Sequence, residues 1–98
     1  MSLPIYKYLD ISTAHITLET NGYLRKAVRD EYDPLIVYKK YGGYFISVPD
    51  EEYLDDIEEF IPGDLAACLG FALKHGCNWL ILDGDAEIIK ELKTYEWR

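Results

Sequence analysis

Hydrophobic and polar positions alternate from Ile5 to Ile11 in IYKYLDI, a run rich in β-formers, which predicts a first strand ending near Ser12. The period then lengthens. Thr17 suits the N-cap of a helix running to about Arg29, with Leu24, Ala27 and Val28 on its inward side. The segment DEYDP ends that helix, because the residue before a proline is pushed away from helical geometry. In LIVYKKYGGYFISV, two β-rich runs flank Gly42 and Gly43, which can take the positive φ angles of a two-residue hairpin turn. A turn at those glycines places Leu35, Val37, Ile46 and Val48 on one side, the core side, and Ile36, Tyr38, Phe45 and Ser47 on the other.

The stretch PDEEYLDDIEEF, Pro49 to Phe60, holds seven carboxylates in twelve residues and no lysine or arginine. Its apolar residues nevertheless keep a helical period. Tyr53, Leu54, Ile57, Phe60 and Ile61 form one stripe, and the acids take the other sides. Next comes IPGDLAACLGFALKHG, where Pro62 suits a first turn, Leu65, Cys68, Leu69, Ala72 and Leu73 make a stripe, and Gly76 stops the helix. NWLILD reads as a short apolar strand, and DAEIIKEL as a terminal helical turn.

The order β-α-β-β-α-β, with one extra helix, predicts a single α+β domain over residues 1–98 with a split βαβ, or ferredoxin-like, arrangement. Its four-stranded sheet is expected to be antiparallel, with two main helices on one face. The other face must be solvated or cover something. Leu9 and Ile11 would join the core, leaving Tyr6 and Tyr8 beside Tyr38 and Phe45 on the open side, together with Trp79. Tyrosines are at home in half-exposed strands, so this set reads either as ordinary strand chemistry or as a contact surface, for a partner or for a second copy in a homodimer.

Eighteen acids against ten bases give a formal charge of −8, which repels phosphate backbones and anionic membranes and favours basic partners. RNA-recognition modules share this element order, but GYFISV lacks the glycine their third-strand signature has between its aromatics, and Tyr44 and Ile46 are expected to point into the core. Nucleic acid is therefore disfavoured. Cys68 and Cys77 form no CxxC and read as small apolar residues of a reduced chain. No apolar run approaches the roughly 20 residues that span a bilayer, and MSLPIYKYLD lacks the order of a signal peptide, so a cytoplasmic location is expected.

Candidate chemistry is sparse. Asp83, Asp85 and Glu87 imitate the first acidic positions of a calcium loop, but Ile88 and Thr94 stand where its glycine and glutamate belong. His15, near Ser12 and Thr13, reads first as a structural, hydrogen-bonded histidine at the end of the strand, and as a general base only if a nucleophile lies within reach. Acids diverging from a helix surface do not converge on a cation, so no metal is expected on Glu51, Glu52, Asp55, Asp56 or Glu59. Those five read as a solvated face or a docking surface for a basic groove. No cofactor is expected.

LDISTAHIT near the start, PGDLAACLGFALKHGCNWLILDGD in the second half and TYEW at the end are similar to segments of a family of short, uncharacterised bacterial proteins found on plasmids and integrated elements. The resemblance covers the chain except the acidic segment from Asp50 to Glu59, which looks like an insertion. It implies a bacterial, mobile-element setting, carries no activity, and directs attention to His15, Asp83, Asp85, Tyr95 and Trp97. The leading expectation is a non-enzymatic interaction module that restrains a basic nucleic-acid enzyme, of anti-restriction or anti-CRISPR type. A small hydrolytic or metal-dependent enzyme on His15 and the Asp83/Asp85 pair is the alternative, and a nucleic-acid binder using the sheet aromatics is the third reading.

Overall fold

In the computed structural model, which describes residues 3–97, the elements run β1 (Tyr8–Ser12), α1 (Leu18–Ala27), β2 (Val37–Lys40), β3 (Gly43–Ser47), α2 (Glu51–Ile57), α3 (Gly63–Lys74) and β4 (Trp79–Asp83). Short 3-10 turns follow β1 and α2. The fold is α+β as the period changes predict, but the sheet is mixed rather than antiparallel. Its order is β1-β4-β3-β2, with β1 parallel to β4 and the other neighbours antiparallel.

The strands themselves show which is central and which is an edge, though not the direction in which β1 runs. β4 carries the continuous apolar run Leu80-Ile81-Leu82, all buried, which is the signature of a strand covered on both sides and flanked on both edges. β1 alternates, with Asp10 exposed between Leu9 and Ile11, and takes the outer edge.

The hairpin turn is also shifted. Val37 pairs with Ile46 and Lys40 with Gly43, so the turn residues are Tyr41 and Gly42 rather than the two glycines. Gly42 supplies the positive φ of +81°. Gly43 belongs to β3 for a different reason: a Cβ there would collide with the carbonyl of Leu82 in β4. Moving the turn by one residue changes each pairing by two, so every side chain stays on its expected face.

Helix ends follow the sequence closely. The Thr17 hydroxyl accepts from Thr20 N–H to cap α1, and the Asp50 carboxylate accepts from Tyr53 N–H to cap α2. At the end of α3, Gly76 with φ +73° lets its own N–H reach the Leu73 carbonyl and that of Cys77 reach Ala72, closing a Schellman motif. Asp64, in the first turn of α3, accepts from Thr17 N–H at 2.7 Å and the Thr20 hydroxyl at 2.6 Å, tying two helix starts together.

One core lies between the helices and the sheet, centred on Ile11, Leu24, Ile46, Leu65, Leu69, Leu80 and Leu82, with Tyr44 and Val37 beside them. Leu54, Ile57 and Ile61 bring the acidic helix into it. Phe60 departs from the expected stripe and is 69% exposed, because the chain tightens into a 3-10 turn over Glu58–Phe60 and rotates it outward. The terminal helical turn expected over DAEIIKEL does not form either. That segment is extended and irregular, its backbone bonding elsewhere: Ser12 N–H donates to the Glu87 carbonyl and Tyr95 N–H to that of Ala14.

Candidate functional site

The helix-free face of the sheet gathers the aromatics that the strand periods assigned to it. Tyr6, Tyr8, Tyr38, Phe45 and Trp79 line one open depression of about 410 Å³. Pairing explains the convergence. Tyr8 lies opposite Trp79, Trp79 opposite Ser47, and one row along, Asp10, Ile81, Phe45 and Tyr38 are neighbours across all four strands. The Tyr38 and Trp79 rings stand 6.2 Å apart and tilted, and Phe45 meets Trp79 edge-on at 6.4 Å. Beneath them Ile81 is only 7% exposed, so the rings already bury one side of the sheet's centre. Tyr6, Tyr8 and Tyr38 remain more than half exposed, at 64%, 61% and 56%.

The acidic helix adjoins this face. Ser47, next to Trp79 across the sheet, also lines a groove with Ile36, Pro49, Asp50 and Tyr53. Tyr53 closes that groove by donating from its hydroxyl to the Pro34 carbonyl at 2.8 Å. Glu51, Glu52, Asp55, Asp56, Glu58 and Glu59 all project into solvent. The aromatic depression is thus flanked by Asp10 on β1 and, across the groove at Ser47, by an acidic shoulder that begins at Asp50, while Glu51, Glu52 and Asp55 face a separate surface beyond it.

His15, Asp83 and Asp85 serve other partners. His15 is 1% exposed, and both ring nitrogens are engaged by the C-terminal tail: Ile89 N–H donates to Nε2 at 3.0 Å, and Nδ1 lies 2.8 Å from the Lys93 carbonyl. Only the tautomer with its proton on Nδ1 satisfies both. No ring nitrogen is left for a nucleophile's proton. Asp83 pairs with Lys40 Nζ at 2.6 Å and accepts from Asp85 N–H at 2.9 Å. The lysine beside it, and the Asp85 amide after it, hold its carboxyl below the usual carboxylate range. Asp85 itself is an exposed turn residue. Among the described residues no three histidine, cysteine or acidic side chains are grouped to hold a metal ion.

The two cysteines are buried and free. Burial, with Asp64 nearby, pushes the Cys68 thiol up to about 12, the opposite of what a nucleophile needs. Burial also raises Tyr23, whose hydroxyl donates to Asp33 at 2.7 Å.

A feature not anticipated from the sequence is a polar depression at the hairpin end, where Thr13, Asn21, Arg25, Lys39 and Trp97 meet over Tyr44. The tail makes it possible, since Trp97 is fixed by its indole N–H donating to the Ile16 carbonyl at 2.9 Å. No local pattern in the chain announces that contact. The segments with aromatic and charged residues are each visible, but their meeting depends on where the tail is laid. Among the described residues, no helix is long and apolar enough to cross a membrane.

Neither the curated proteins nor the solved structures searched contain a match to this chain. The model of a family of unknown function, DUF5983, matches at its C-terminal domain over residues 8–97, nearly the whole length. The chain belongs to that family, in keeping with its resemblance to an uncharacterised one.

Proposed function

We propose that this domain is a non-enzymatic protein-binding module that holds a basic partner against the open sheet face and the acidic shoulder beside it. The observation that carries this reading is the convergence of Tyr6, Tyr8, Tyr38, Phe45 and Trp79 on one depression that no described element covers. Aromatic residues dominate the energetic centres of protein interfaces, and acids around them steer cationic partners. The opposing evidence for chemistry is thin, since His15 is committed to backbone groups and Asp83 to Lys40.

In the mobile-element setting that the family resemblance implies, the basic partner is a nucleic-acid enzyme of the host or its defences, restrained by occupation of its positively charged groove. The test is affinity capture from the native host, read by mass spectrometry, with the parent chain and a Tyr38→Glu variant side by side. A nucleic-acid enzyme retained by the parent, lost by the variant and inhibited by the purified parent is the expected result. Equal capture by both chains, or a captured enzyme that works at full rate, overturns the proposal.

A further inference from the structure

Trp79 occupies the middle of the aromatic depression, with Tyr8 beside it on β1 and the rings of Tyr38 and Phe45 on its other flank, one tilted at 39° and one edge-on at 83°. Ring faces carry negative potential and attract a cation placed over them, indole most strongly. The charges near by have the same preference. Asp10 shares the face, two residues on from Tyr8 along β1, and Asp50 lines the groove that begins at Ser47.

None of the chain's neighbouring lysines supplies the missing cation. Lys7 donates to the His75 carbonyl, Lys40 is held by Asp83, and Lys39 sits 4.9 Å over the ring of Tyr44 on the core side of the sheet. The hydroxyls of Tyr6, Tyr8 and Tyr38 have no hydrogen-bond partner among the described residues and are free to accept.

From these observations we infer that the aromatic depression is a receptor for an arginine side chain of the protein partner. The inference rests on the reading of this face as a docking surface and specifies what enters it. A guanidinium is planar, stacks flat on an indole or phenol ring, is less tightly hydrated than an ammonium, and keeps its N–H groups at the edge where tyrosine oxygens and Asp10 can accept them. A depression of about 410 Å³ takes the guanidinium together with its aliphatic stem. A second copy of the chain fits less well. A two-fold contact through this face sets Asp10 and the acidic shoulder of one copy near those of the other, in a chain of charge −8.

The experiment titrates the isotope-labelled full chain with three short glycine-flanked peptides that carry arginine, citrulline or leucine at the centre, following the two indole N–H resonances by NMR. A Trp79→Phe variant identifies which resonance belongs to the depression. The arginine peptide is expected to shift the Trp79 signal and leave Trp97 in place, with citrulline binding about tenfold more weakly for loss of the cation. A Tyr38→Leu variant should lose most of that binding while its thermal midpoint stays near that of the parent. Leucine or citrulline binding as well as arginine overturns the inference but leaves the docking surface standing, with an apolar anchor in the depression. A chain that responds to none of the peptides also overturns it, and sedimentation then reports whether a second copy occupies the face; the captured enzyme of the preceding section is judged separately by its own assay.

Discussion

The amide of Ile89 donates to Nε2 of His15 across 74 residues of sequence, and with Nδ1 facing the Lys93 carbonyl this one ring fastens the C-terminal tail to the end of β1. A His15→Ala change leaves two backbone groups without their partner and opens a hole at a site 1% exposed. We expect a loss of about 2–4 kcal/mol in denaturant unfolding, with the tail amides losing hydrogen-exchange protection first. Nitrogen-15 NMR of the parent should show His15 as the neutral tautomer protonated at Nδ1. The other tautomer would mean that the tail is held differently.

Gly43 is an equally local test of the sheet. An added methyl group meets the Leu82 carbonyl, so Gly43→Ala must separate β3 from β4 in the middle of the domain. The cost is expected at about 3 kcal/mol or more, against about 1 kcal/mol for Gly42→Ala, whose only penalty is the strained φ of +81°. Equal stability losses at the two glycines would show that the turn is centred on both.

The acidic helix separates fold from binding. Asp55→Lys with Glu59→Lys alters only exposed positions and should change stability by about 0.5 kcal/mol or less, while binding to a basic partner falls and recovers in part as salt screens the repulsion. Leu54→Asp places a charge at a position 7% exposed and should destabilise the domain strongly. Unchanged partner affinity at low salt in the double variant would reduce the acids to a solvated face.

Asp83 and Lys40 give the stability a pH signature. Because the folded carboxyl titrates below its unfolded value, the pair contributes above that unfolded value, about 3.9, and the contribution is lost as the pH falls through the folded one. In a Lys40→Met variant the acid limb of the stability profile should therefore be shallower than in the parent. Parallel profiles would mean that the ion pair adds nothing beyond solvent exposure.

Cys68 should be inert in the native state. Its thiol is 1% exposed and titrates near 12, so a disulfide reagent at pH 8 is expected to react only on the time scale of opening, and completely in denaturant. Rapid native labelling traced to Cys68 by peptide mapping would contradict the packing of α3.

The sequence by itself determined the local elements and their faces. Thr17 and Gly76 mark helix ends through hydrogen bonds made within a few residues, and the two-residue period of β2 and β3 fixes which side chains share a side even when the turn moves by one. The same strand period puts Tyr6, Tyr8, Tyr38 and Phe45 on one side of the sheet. Tertiary structure decided what depends on partners far along the chain. Which edge of β4 would receive β1, and in which direction, is set by the free edge left after β3 pairs, not by any pattern within YLDIS. The tail from Asp85 to Trp97 has helical spacing in part, but its amides and carbonyls find His15, Ser12 and Ala14, and those long-range bonds outweigh a weak local preference. His15 is ambiguous in the sequence for the same reason: a histidine's role is fixed by what its two nitrogens meet, and here they meet residues more than seventy positions away.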